Sequence, residues 1–196
     1  YNNEIEVEDK KLILNNKVET WKFVNRQAIV KACPLAYYTG ISVGDIVVLH
    51  QNVFRVFYDT KGNQKCHQGL FLYLLKNYYH KDNLYFCKPD QIYLYKNNDI
   101  WFTFNDRCFI KPLKNNSSIT NDKEQKLIGV LKYGNSSLKD KEINPGDIVG
   151  YTPYGEWEFI IDGERLYCMK SNDIVIKYEN KGNQEEYNPS WASSSR

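Results

Sequence analysis

The residues able to carry chemistry are few and scattered. Three histidines, His50, His67 and His80, all fall in the first half of the chain. A general base must reach the proton it takes, and a third group normally orients it. His50 follows an apolar run, and His67 and His80 flank a second one, with no nucleophile at a telling spacing. Neither Gly-x-Ser-x-Gly, His-Glu-x-x-His nor a phosphate-binding glycine loop occurs. Glu156 and Glu158 fall on one face of an alternating run, but no partner group is marked beside them. Five cysteines, at positions 33, 66, 87, 108 and 168, form no Cys-x-x-Cys pair. Cys66-His67 with Cys87 hints at a metal, yet that spacing matches no usual zinc module. These residues predict no enzyme, no cofactor and no metal. The cysteines read as small core hydrophobes of a reducing, cytoplasmic protein.

Charge excludes other classes. Lys and Arg number 26 and Asp and Glu 24, a net charge of +2, and the two signs are interspersed. Nucleic-acid binders concentrate positive charge in a patch or stripe. Tyr37, Tyr38, Tyr78 and Tyr79 could stack bases, but without such a stripe no nucleic-acid partner is expected. No stretch approaches the eighteen or so apolar residues that span a bilayer, and no signal-peptide pattern opens the sequence, so no membrane partner is expected either. The 16 Tyr and 9 Phe, with abundant Ile and Val, favour pleated, half-buried surfaces.

The elements that could position anything emerge from an internal repeat. Ile41-Ser-Val-Gly-Asp-Ile-Val47 recurs as Ile143-Asn-Pro-Gly-Asp-Ile-Val149, and Leu84-Tyr-Phe-Cys-Lys-Pro-Asp-Gln-Ile92 as Leu166-Tyr-Cys-Met-Lys-Ser-Asn-Asp-Ile174. Upstream, Ala28-Ile-Val-Lys31 answers to Gly129-Val-Leu-Lys132. Three blocks in the same order imply duplication. Gly44-Asp45 and Gly146-Asp147 read as turns, because Gly takes positive φ and Asp bonds its own nearby backbone. A β-branched strand follows each. Asp162-Gly163 reads as a hairpin turn after Trp157-Glu-Phe-Ile-Ile161. Short strands broken by frequent turns predict an all-β chain.

The copies divide near Lys96 to Asp99: a first lobe over 1–98, a second over 99–179, and a polar, flexible tail over 180–196. The first lobe carries an extra segment, about 59–82, in which Gly69-Leu-Phe-Leu-Tyr-Leu-Leu-Lys-Asn-Tyr-Tyr-His80 is apolar enough for a packed helix or an interface patch. Lys11-Leu-Ile-Leu14 and Arg107-Cys-Phe-Ile-Lys-Pro-Leu113 read as the opening strands.

The second copy resembles the GroES, or chaperonin-10, co-chaperonin family. That family opens on Asp-Arg-apolar-apolar-apolar-Lys, here Asp106-Arg-Cys-Phe-Ile-Lys111. Its mobile loop matches Lys114 to Gln125, its next strand Gly129-Val-Leu131, its roof hairpin Tyr133 to Glu142, its Gly-Asp turn Pro145-Gly-Asp-Ile-Val149, and its closing strand Ser171-Asn-Asp-Ile174. The resemblance covers about 105–178, and less completely 10–96. It implies two tandem GroES-like β-barrel lobes, the first with the apolar insertion. It also implies a ring component that docks loops on a GroEL-like chaperonin and assists folding, and the sequence looks more like the divergent, phage-encoded type of the family. A disordered loop that orders on binding makes weak, reversible contacts, and many loops acting together restore avidity.

The sequence departs from the family at the loop. Asn115 to Asn121 holds a single apolar residue, Ile119, where the family has an apolar tripeptide. The candidate partner-binding residues are Ser118, Ile119 and Thr120, with Trp21 and Phe23 of the first copy as possible substitutes or as plain strand core. A structural or assembly protein, for example of a phage particle, that kept the barrel without chaperonin binding is the alternative function.

Overall fold

The computed structural model describes residues 4–7, 10–13, 27–36, 38–54, 57–58, 64–66, 79–115, 123–179, 182 and 184–193. They are mostly strand, every pairing is antiparallel, and the chain divides into two compact units, 1–97 and 98–196.

The first unit opens with β1 (Glu4–Val7) and β2 (Lys10–Ile13), which pair with each other. Its central sheet sets β4 (Ile46–Leu49) between β3 (Gln27–Ile29) and β9 (Ile92–Asn97). Val47, Val48, Leu49 and Leu94 are buried, as continuous β-branched and aliphatic runs require. Two short ribbons lie between β4 and β9: β5 (Phe57–Tyr58) with β6 (Gln64–Cys66), and β7 (Tyr79–Lys81) with β8 (Leu84–Tyr85).

In the second unit, β10 (Ile100–Thr103) precedes a sheet of six strands: β11 (Arg107–Lys114), β12 (Glu124–Tyr133), β13 (Ile148–Tyr151), β14 (Trp157–Ile161), β15 (Glu164–Lys170) and β16 (Ile174–Tyr178). Their order is β14-β15-β11-β12-β13-β16. The central strand β11 is buried on both faces. Cys108 and Ile110 face a cluster with Leu131, Val149, Tyr151, Tyr167 and Met169. Phe109, on the opposite face, packs edge-on against Phe159 at 5.6 Å and Tyr133 at 6.2 Å, a geometry that adds about 0.5–1.5 kcal/mol per pair beyond area burial. β10 lies outside this sheet and is tied to it by Trp101 Nε1 donating to Asp162 Oδ2 at 2.8 Å and Thr103 Oγ1 to the Gly134 carbonyl at 2.9 Å.

Several expectations need correction. Among the described residues no sheet closes: β14 and β16 are free edges of the larger sheet, so neither unit shows a completed barrel. Lys11 to Ile13 belongs to β2 and pairs with β1, not with the sheet that holds β4. Where a roof hairpin was expected between Tyr133 and Glu142, the chain makes one helical turn, α1 (Ser136–Lys139). Asn135 caps it, its Oδ1 accepting from Leu138 N at 3.1 Å, and Leu138 fills the core below. Asn-Ser-Ser is capping chemistry, which prevails over strand pairing here. Of the insertion expected over about 59–82, Tyr79 to Asp82 form part of the β7–β8 hairpin. Of its apolar stretch 69–80, residues 69–78 lie outside the described residues. The tail drawn as flexible over 180–196 is in part a docked strap: residues 185–187 pair with β11 and α2 (Ser190–Ser193) follows, with Pro189 and Ala192 buried. A glutamate facing a buried lysine outweighs the strap's polar composition.

Candidate functional site

The two Gly-Asp corners are built by the same hydrogen bonds. Gly44 has φ of +98° and Gly146 of +96°, in the region where an L side chain is strained. The Asp45 carboxylate accepts from Ser42 N at 2.8 Å, and that of Asp147 from Asn144 N at 2.7 Å. Gly44 N donates to the Val30 carbonyl at 2.9 Å and Gly146 N to that of Leu131 at 2.8 Å. Val30 N donates to Asp45 O, and Leu131 N to Asp147 O, both at 2.9 Å. Each corner thus joins an incoming strand, β3 or β12, to the outgoing β4 or β13 with one set of bonds. One partner differs: Asn97 Nδ2 lies 2.8 Å from Asp45 Oδ1, whereas Lys177 Nζ lies 2.7 Å from Asp147 Oδ2. Burial alone would raise the Asp147 carboxyl, but the Asn144 N–H and the Lys177 ammonium outweigh it and hold the group below its ordinary range.

The closing strands match as closely. Lys88 N donates to Gln91 Oε1 at 2.8 Å and Lys170 N to Asp173 Oδ2 at 3.0 Å, each closing a 3₁₀ turn. The residue that ends each turn then accepts from the residue that follows the neighbouring strand, β4 or β13: Gln91 O from His50 N and Asp173 O from Thr152 N, both at 2.8 Å. The β4–β9 register shifts between Val48 and Leu49, and the β13–β16 register shifts at the matching place, between Gly150 and Tyr151. The hairpins before them also agree. Asp82 and Asn83 have φ of 47° and 62°, Asp162 and Gly163 of 48° and 80°, the left-handed pair that a two-residue β-turn needs. Asp82-Asn83 gives no Asp-Gly signal in the sequence because it carries no glycine.

Ser118, Ile119, Thr120, Trp21 and Phe23 lie outside the described residues, as do Tyr37 and Tyr78. The described geometry reaches only the stem of the 115–123 loop, where Asn115 N donates to Lys123 O at 3.0 Å and Gln125 Nε2 to Lys114 O at 3.1 Å. A charged network that composition could not reveal buttresses this stem. Arg165 reaches Glu124 at 2.6 Å, Glu158 at 3.1 Å and the Tyr167 hydroxyl, and that hydroxyl donates to Glu124 Oε1 at 2.7 Å. Burial first, then the hydrogen bond to Glu124, drives the Tyr167 phenol well above its usual range, so it stays a donor. Beside it, Lys111 Nζ, on a side chain only 7% exposed, lies 2.8 Å from Glu164 and 3.0 Å from Glu186, and Lys132 shares Glu164 at 3.1 Å. Desolvation would lower the Lys111 ammonium, but the hydrogen bonds to Glu164 and then Glu186 raise it above its ordinary value. Each charge named here has an opposite charge within 3.1 Å, which suits a rigid support better than a reacting centre.

Among the described residues no group of three His, Cys, Asp or Glu is placed to hold a metal. Cys33, Cys87, Cys108 and Cys168 form no disulfide among the described residues. Burial first, with the nearby Asp173 and Asp106 carboxylates, pushes the Cys108 thiol up to about 12, so that sulfur is inert core. No helix among the described residues is long and apolar enough to cross a membrane. No family model matches the chain, and no curated protein matches it.

Proposed function

We propose that this chain is a co-chaperonin-like ring component of the cytoplasm, built of two GroES-like lobes, that binds a GroEL-like chaperonin and assists protein folding. The observation that carries the reading is the duplicated corner: two units hold the same Gly-Asp hydrogen bonds and lead to closing strands in the same register. Such a frame presents loops and needs no catalytic group. The loop over 114–125, with Ser118, Ile119 and Thr120, and the segment carrying Trp21 and Phe23 are the proposed chaperonin contacts. Single contacts of that kind are weak and gain strength by multiplicity.

Self-association is supported by β16. It is a sheet edge on which Val175 and Ile176 are 58% and 49% exposed and Tyr178 is also exposed, while Tyr93 and Leu94, at the matching places of β9, are buried. An apolar strand edge left bare marks an interface. Size-exclusion chromatography with light scattering, followed by chaperonin capture with nucleotide bound, tests the reading. A ring that is captured upholds it, and a strict monomer that ignores chaperonin overturns it.

The lone apolar residue Ile119 between positions 115 and 121 favours a second reading, an assembly protein, for example of a phage particle, that kept the frame. A stable oligomer that does not bind chaperonin and copurifies with particles selects it.

A further inference from the structure

Beyond Ile110, β11 loses its neighbour. Its pairing with β15 runs from Arg107 opposite Lys170 to Ile110 opposite Tyr167 and stops there. The edge from Pro112 to Lys114 is filled instead by the C-terminal strap. Lys114 N donates to Glu185 O and Tyr187 N to Pro112 O, both at 2.8 Å, with Leu113 bridged to Glu186. Side chains add selectivity. Glu186 reaches Lys111 at 3.0 Å, and Glu185 reaches Lys114 at 2.8 Å. Asn188 Oδ1 accepts from Arg165 N at 2.9 Å while its Nδ2 donates to Gly163 O at 3.1 Å.

This grip is specific but short. Two backbone bonds join the strap to β11, against a ladder of five residue pairs between β14 and β15, and among its described residues only Pro189 and Ala192 are buried. Gln184, Glu185 and Glu186 are exposed. The buried charge the strap touches, Lys111, keeps Glu164 at 2.8 Å when Glu186 leaves, so departure leaves that ammonium paired. Segments with few buried contacts and exposed backbone bonds open first. An open strand edge is in turn a template for another extended chain.

We propose that the outer edge of β11, from Pro112 to Lys114, is a strand-accepting site that takes residues 184–193 from a second copy of this chain as well as from its own. Recognition needs a carboxylate at position 186 for Lys111 and an amide at 188 for the 163–165 turn. The site is independent of chaperonin binding and stands or falls without it.

A fluorescein-labelled peptide of residues 184–193 is titrated into the full chain, wild type and Glu186→Lys/Asn188→Ala, and anisotropy is read. The wild-type chain's own strap competes at roughly millimolar effective concentration, so the variant chain is expected to bind the peptide at least about tenfold more tightly. A peptide carrying Glu186→Lys should bind neither chain. Absence of peptide binding to a variant chain that keeps the wild-type circular dichroism overturns the proposal. Should that variant not fold, a protease site is placed within 179–183 of the wild-type chain, the folded protein is cut, and excess labelled peptide is added. Replacement of the cut strap upholds the proposal, and its retention against excess peptide overturns it.

Discussion

Lys177 sets its ammonium 2.7 Å from the Asp147 carboxylate and donates to the Glu142 carbonyl at the same distance. It thereby stitches β16 to the corner that starts β13. Asp147→Ala removes this ion pair and the acceptor for Asn144 N, and is expected to lower stability by about 1–2 kcal/mol in chemical denaturation. The contribution has a defined pH window. A carboxyl held below its ordinary value stabilises fully above the unfolded value near 3.8 and loses the effect as pH falls through the lower folded one. The gap between wild type and variant should close in acid, and a gap unchanged at low pH would show that the charge is not responsible.

Gly129 of β12 lies opposite Pro112 of β11. A Cβ there would sit 2.5 Å from the Lys111 carbonyl oxygen and closer still to the Ile110 side chain. Backbone cannot retreat from such a clash without disturbing the ladder. Gly129→Ala is expected to destabilise by about 1–3 kcal/mol, the range for overpacking, as read from the urea midpoint. Gly134→Ala, whose Cβ would meet only the flexible end of Leu131 at 3.2 Å, serves as the mild control.

The sequence disclosed the parts of this fold that local chemistry dictates. Gly44-Asp45 and Gly146-Asp147 are legible because only glycine takes their φ cheaply and aspartate closes its own turn. The buried runs at 46–49 and 108–113 are legible as apolar strands. What stayed hidden depends on partners distant in sequence. Lys111 reads only as one residue of the opening strand 107–113, yet it is buried between Glu164 and Glu186. The strap reads as a polar tail because its affinity resides in Lys111 and in the 163–165 turn, more than twenty residues upstream. Asp82-Asn83 shows that a left-handed turn needs no glycine, so a search keyed to Asp-Gly finds only one of the two hairpins.

Glu164 serves two lysines, Lys111 at 2.8 Å and Lys132 at 3.1 Å. Burial would raise its carboxyl, but the bonds from Lys111 and then Lys132 prevail and lower it. Glu164→Gln keeps the shape and removes the charge, leaving Lys111 dependent on Glu186. The expected loss at neutral pH is on the order of 2 kcal/mol. Because the folded value lies below the unfolded one, the loss should be complete above the ordinary carboxyl value of 4.5 and should shrink as pH falls through the folded value. Denaturation midpoints at neutral and acid pH check this. An equal loss at both would assign the cost to geometry instead of charge.

The exposed edge of β16 permits the sharpest separation of fold from assembly. Val175 is 58% exposed and lies outside the core cluster, so Val175→Asp should change monomer stability by less than about 0.5 kcal/mol, as surface substitutions do. A charge on an edge strand opposes pairing with another chain. If β16 joins copies, the variant should elute as a smaller species at the same concentration while its urea midpoint hardly moves. Chaperonin capture should then weaken as well, because single loops bind poorly without multiplicity. An unchanged elution volume would remove β16 from the interface and leave the loop reading to be judged on capture alone.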